Sequence, residues 1–373
     1  MFEDIRPYEG TEIRNVIEEL CNDAEFVALA SKIPVFDVGK FRVSAAKYAT
    51  LIEFQRDWER PFLEWMVTRN SKGLTISGTE NISRRGGQLF LTNHRDITVD
   101  PAYLALSLIQ TIDDTCEIAI GDNLYVRPWI EKFVKLSRSF TVRRNLTRGE
   151  MVRTFAELSQ YVRYALTEKK VNIWMAQREG RSKDATDMTQ ESLIKMLAMS
   201  GSGSLVDNLA ELNIHPTTLS YEFDPCDYLK AREMQMKRDI PDYKKGPMDD
   251  FISMKEGING NHGRIHIHFG SNLRDELAEI GKNIANRKEQ AEAVCKVCDR
   301  EIHGNYVLYP INYWAYEERF GNRIWEGDYG SSREYLEGQM AKIDLENKDD
   351  KFLWTKLVEM YSNPVVSYLG VKN

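Results

Sequence analysis

From Leu74 onward the chain alternates short apolar runs with amphipathic stretches, and this alternation limits the available folds more than any other feature. Seven runs have strand character: residues 74–77, 88–92, 116–120, 139–142, 171–175, 217–223 and 264–269. Between them, residues 101–112, 129–136, 148–166 and 189–198 carry apolar residues at helical spacing. Strands joined through helices pair in parallel and need helices over both faces to cover them. The expectation is therefore an α/β fold, a mixed and largely parallel sheet flanked by helices. Before Leu74 the pattern is helical alone, with helices expected at residues 11–31, 44–54 and from Pro61. Residues 1–72 read as an N-terminal helical segment, and residues 73–373 as the α/β domain. Within that domain, 229–262 is a polar insertion and 274–373 a helical and aromatic C-terminal extension.

Totals narrow the class. With 373 residues, 42% hydrophobic and 29% charged, the chain can bury a sizeable core. Its longest nearly apolar stretch, 101–112, falls short of the roughly 20 residues that cross a bilayer. The opening "MFEDIRPYEG" has acidic residues and no apolar core, so no signal peptide is expected. Five scattered cysteines argue against a disulfide framework and for a cytoplasmic protein. The net charge of −7 argues against nucleic acid as a partner. Residues 127–148 run the other way, with seven basic residues against one acid, Glu131. That run suits an anionic ligand or headgroup, or a solvated helix face.

Three segments concentrate polar chemistry where predicted strands end. "LFLTNHRDITVDP" places His94 directly after a buried run, with Asp96 and Asp100 downstream and Pro101 opening a helix. A histidine beside a carboxylate can deprotonate a hydroxyl: the ring takes the proton and the carboxylate holds its other nitrogen. At about 100° per residue, positions 94 and 100 would differ by roughly 240° on one helix. Either His94 lies in the turn before the helix, or Asp96 orients the ring. "SFTVRR" ends in Arg143 and Arg144, whose guanidinium forks suit phosphate. "NIWMAQREGRSKD" ends in Glu179, Gly180, Arg181 and Ser182. In open α/β sheets the carboxyl ends of strands form the ligand crevice.

Together with "HPTTLSYEFDPCD", these segments resemble the glycerolipid acyltransferase superfamily, which includes lysophosphatidic acid and glycerol-3-phosphate acyltransferases. The resemblance covers residues 74–273, the motif-bearing core, with four motifs in order. It departs from the family in four places. Five residues rather than four separate His94 from Asp100, Arg138 replaces a glycine, "EGRS" lacks a threonine, and Arg178 replaces a proline.

The resemblance implies a lysophospholipid acyltransferase-like fold and an O-acyltransferase. His94 would be the base, oriented by Asp100 or Asp96. Arg144, with Arg143, would hold the acceptor's phosphate, while Glu179, Gly180, Arg181 and Ser182 would shape the acceptor site. No cofactor or metal is implied; acyl-CoA or acyl carrier protein is the co-substrate. The acceptor would be a phosphorylated glycerol or lysolipid, reached by peripheral association with the cytoplasmic membrane surface. Phe62, Leu63, Trp65 and Met66 are candidates for that contact, unless they pack under the sheet. Alternatives are O-acylation of an amino-acid lipid, or a non-catalytic lipid-binding protein on the same fold. Cys295, Cys298 and His303 resemble half a zinc site, but the flanking residues read as an amphipathic helix.

Overall fold

A computed structural model describes residues 2–246 and 248–372. Seven strands, β1 (Ser71–Ser77), β2 (Leu89–Thr92), β3 (Cys116–Gly121), β4 (Ser139–Val142), β5 (Asn172–Ala176), β6 (Ile214–Tyr221) and β7 (Gly263–Phe269), form one sheet in the order β1-β7-β6-β2-β5-β3-β4. β6, β2, β5, β3 and β4 run parallel. β7 is antiparallel to β6, and β1 follows β7 in parallel. The sheet is thus mixed and largely parallel, as the alternation predicts, with each strand on its expected run and ends shifted by a few residues.

β2 shows why these runs look uniformly apolar. All four of its residues are buried, because helices cover both faces. Leu89 and Leu91 pack with Ile173 and Met175 of β5, with Leu158 and Val162 of helix Arg148–Thr167, and with Val294 of helix Arg287–Gly304. Phe90, one residue out of phase, turns to the opposite face. There it meets Trp174 of β5, Tyr103 and Leu104 of helix Val99–Ile112, and Leu63 and Met66 of helix Arg60–Asn70. Burying a side chain such as Phe90 contributes roughly 1.5–3 kcal/mol.

Caps, which periodicity cannot locate, set the helix boundaries. The span expected as one helix at 11–31 is two, Thr11–Asn22 and Ala24–Ala30, because Asp23 accepts from the Phe26 N–H at 2.9 Å and starts the second. The helix expected at 44–54 is displaced for the same reason. Asp37 caps Val38–Ser44, and Thr50 with Glu53 restarts the chain as Leu51–Phe54. A π-helical turn, Gln55–Glu59, then leads into Arg60–Asn70. Ile17, Leu20, Phe41 and Phe54 of these helices cluster around Leu136 of helix Pro128–Leu136.

The polar insertion is also ordered, as helices Asp227–Asp239 and Asp249–Asn259. Beyond β7 the helix expected to run to His303 is two, Arg274–Asn283 and Arg287–Gly304, with Asn286 capping the second. Helices Pro310–Phe320, Ser332–Ala341 and Asp350–Lys372 pack together through Ile311, Leu336, Leu353 and Leu357.

Two surface expectations change. Leu63 and Met66 are buried against the sheet, and Phe62 stacks on Trp65 at 6.0 Å, so this group packs inward instead of forming an apolar face. The basic run of 127–148 is split among acids on several elements. Arg127 faces Glu25, Lys132 Glu19, Arg138 Asp114, and Arg143 both Asp4 and Glu157. The side chain of Arg148 lies outside the described set. Among the described residues, no helix is long and apolar enough to cross a membrane.

Candidate active site

The predicted polar segments meet at the carboxyl ends of the parallel strands, where β2, β5 and β4 deliver their following loops. Asn93 turns the chain out of β2. Its side-chain amide donates to the Leu219 carbonyl at 2.9 Å and its oxygen accepts the Leu219 N–H at 2.8 Å. A side chain thus replaces the backbone in the ladder with β6, which leaves the next residue free to project. That residue is His94, in the connection before helix Val99–Ile112, as the spacing argument requires.

His94 Nδ1 lies 2.8 Å from Asp100 Oδ2. The same oxygen accepts the backbone N–H groups of Arg95 at 2.6 Å and Asp96 at 3.0 Å. Oδ1 accepts the Tyr221 hydroxyl at 2.8 Å. Burial pushes the Asp100 carboxyl upward, but the hydrogen bonds from His94 and from these backbone groups more than offset it and hold it below its ordinary value. An ionised Asp100 places the imidazole proton on Nδ1 and leaves the Nε2 lone pair to accept a proton. The ring also meets Trp174 edge to face, with centroids 5.5 Å apart.

Asp96 has a different task. Its Oδ1 accepts from Thr98 N at 2.8 Å and Val99 N at 3.0 Å, which caps the helix. Gly257 of the insertion closes over it; a Cβ there would stand 2.2 Å from Asp96 Oδ2. The structure therefore pairs His94 with Asp100 and uses Asp96 to aim the helix that carries Asp100.

Arg143 and Arg144 diverge after β4. Arg143 turns to Asp4 and Glu157. The Arg144 guanidinium reaches back past β3 to Glu179, after β5, at 2.6 Å, and its backbone N–H donates to Asp122 at 3.0 Å. Glu179 is largely exposed. Gly180 takes a left-handed conformation, φ +69°, which turns the chain inward. Next, Arg181 is half-buried, with its Nη1 atom buried and unpaired among the described residues, in the field of Asp96, Asp224 and Asp250. Burial disfavours its charge, and Cys226 with these carboxylates outweighs that. Ser182 N–H donates to the His94 carbonyl at 2.9 Å, locking the second loop to the first.

Several supporting residues carry no signal in the sequence. Arg95, next to His94, is paired with buried Asp187 at 2.6 Å. Asp187 Oδ2 also accepts the Tyr306 hydroxyl at 2.5 Å, and its carbonyl oxygen lies 2.9 Å from His303 Nε2. Lys230 donates to the Arg95 carbonyl at 2.7 Å and pairs with Asp224. Arg95, Asp224, Lys230 and Tyr306, with Tyr221 and Met360, line a pocket of about 490 Å³, open solvent included, between the His94 loop and the C-terminal extension. Cys295 and Cys298 are buried in helix Arg287–Gly304, as the amphipathic reading requires. Of the missed residues, Tyr221 and Asp224 lie in the fourth motif, which offered no reason to single out either.

Residues 73–220 match the family model described as Acyltransferase. Among solved structures, the 1-acyl-sn-glycerophosphate (LPA) acyltransferase PlsC from Thermotoga maritima is similar at 13% identity, over 76% of this chain and 96% of that one, with a TM-score of 0.38. No curated protein matches the sequence.

Proposed function

We propose that the chain, whose residues 73–220 match the family model described as Acyltransferase, is an O-acyltransferase of the glycerolipid acyltransferase superfamily acting on a lysophosphatidate-like or glycerol 3-phosphate-like acceptor. The observation that carries this reading is the 2.8 Å bond between His94 Nδ1 and Asp100 at the carboxyl ends of the strands. Nε2 removes the proton from the acceptor hydroxyl, and the oxygen attacks the thioester carbonyl carbon of acyl-CoA or acyl carrier protein. The tetrahedral intermediate collapses with cleavage of the C–S bond, and the departing thiolate takes the proton back from Nε2. No acyl-enzyme is needed.

Two cations support an anionic acceptor. Arg144 is held toward the His94 side of the sheet by Glu179, and Arg181 keeps an unpaired Nη1 in a buried position. Arg143, occupied with Asp4 and Glu157, is left out of the proposed phosphate site. Glu179, Gly180 and Ser182 set the path of the loop that presents Arg181. A lipid acceptor would bring the protein to the membrane surface peripherally, on the cytoplasmic side.

An acyl-transfer assay tests the reading. Lysophosphatidate, glycerol 3-phosphate and a hydroxylated amino-acid lipid are offered with acyl-CoA and with acyl carrier protein as donors. Turnover is expected with a phosphorylated acceptor, and His94→Ala should lower it by roughly 10²–10⁴-fold. Arg144→Ala should raise the acceptor KM well above any change in the donor KM. Turnover confined to the amino-acid lipid would move the assignment to that acceptor. Lipid binding without turnover on any pair would favour the non-catalytic alternative.

A further inference from the structure

Asp100 is held from two sides, and only one of them belongs to its own loop. Oδ2 takes His94 Nδ1 and the N–H groups of Arg95 and Asp96, all within six residues. Oδ1 takes the Tyr221 hydroxyl at 2.8 Å, from the last residue of β6, 121 positions away. Tyr221 is itself fixed by the sheet: it pairs with Ile265 across the antiparallel β6–β7 ladder. Its ring lies 5.7 Å from that of His262, just before β7. A carboxylate gripped only by its own loop can rotate about its side-chain torsions. A second grip from a rigid strand removes that freedom.

We infer that Tyr221 is a positioning residue for acyl transfer, holding Asp100 so that it keeps the His94 ring in the orientation and tautomer in which Nε2 accepts the proton. The inference rests on the His94–Asp100 reading above, and adds to it a third member contributed by the strand next to β2. Burial, followed by the Asp100 charge, pushes the Tyr221 hydroxyl well above its ordinary value, so it keeps its proton and is the donor in this bond. The ionisable groups around the pair are Arg95, Asp96 and Tyr103 on the His94 side, and His262 before β7 with Asp224 near it. Burial lowers His262 despite the nearby carboxylates, which leaves it neutral, and it does not compete as a cation for Asp100.

The experiment compares the full-length protein with Tyr221→Phe, which keeps the ring against His262. Expected are a kcat lower by roughly tenfold or more, with acceptor and donor KM within about twofold. Proton NMR of the unliganded protein provides a readout independent of turnover. The proton between His94 Nδ1 and Asp100 should exchange with solvent roughly tenfold faster in Tyr221→Phe. Unchanged exchange overturns the inference, as does an unchanged kcat in an active enzyme. If the parent protein shows no turnover on any acceptor, the acyl-transfer reading fails, while the exchange comparison still decides whether Tyr221 positions the pair.

Discussion

His94, Asp96 and Asp100 show how one short segment divides its labour. The carboxylate nearer in sequence, Asp96, is consumed by the N–H groups of Thr98 and Val99, and the farther one reaches the ring. An asparagine at 96 can still accept those N–H bonds, since Asn caps helices as well as Asp. Asparagine at 100 loses the charge that stabilises the imidazolium and offers an amide that can favour the wrong tautomer. Asp100→Asn should therefore lower kcat by roughly 10²-fold or more, whereas Asp96→Asn should stay within a few-fold of the parent. Steady-state kinetics on both variants checks this, and the reverse ranking would return the orienting role to Asp96.

At the level of elements, the His94 loop is braced by the C-terminal extension through charge. Arg95 is largely buried, which works against its cationic form, and Asp187 together with Tyr306, Asp224 and Asp100 more than offsets that cost. Tyr306 and His303, at and just beyond the end of helix Arg287–Gly304, hold Asp187 in turn. Breaking such a pair leaves a buried charge unmatched, a penalty of about 3–5 kcal/mol. Asp187→Asn should lower the urea midpoint accordingly, with little change in the denaturant slope. It should also reduce turnover, because Arg95 adjoins the base. A loss below roughly 1 kcal/mol would mean that the pair carries little weight. The brace also ties a segment outside the four motifs to the His94 loop.

Across the whole molecule, the two ends of the sheet have different electrostatics. The carboxyl ends hold the His94–Asp100 pair with its ionised carboxylate, while the amino ends of β3 and β4 meet the π-helical turn that carries Glu59. Burial pushes the Glu59 carboxyl up to about 7, against the opposing influence of Ser137, Gln55 and Arg138. The folded protein therefore holds this proton more tightly than the unfolded chain, whose glutamate has its ordinary value of 4.5. That stability is fully present below the ordinary value and is lost as pH rises through about 7. Asp227, pushed to about 7 by burial and by Asp224, adds to the same trend. Glu59→Gln should match the parent near pH 4 and exceed it in stability at pH 8, with kcat unchanged. Thermal unfolding at the two pH values measures this, and equal stabilities at pH 8 would count against it.

The sequence by itself determined the features that depend on local pattern. Period-two and period-3.6 spacing of apolar residues, with helices between strands, located all seven strands and the sheet's largely parallel character. The position of polar clusters after apolar runs located the three loops that meet at the site. Only the tertiary structure decided which groups in those loops touch. Asp100 was separated from Asp96 by a helix cap, and Arg143 was drawn to Asp4 at the far N-terminus, leaving Arg144 to Glu179. Asp187, Tyr221 and Tyr306 acquired their partners across 92, 121 and 119 residues. Hydrogen bonds and ion pairs act over a few ångströms in space, whatever the distance along the chain. Hydrophobic periodicity records which face of an element is buried, and carries no record of what that face will meet.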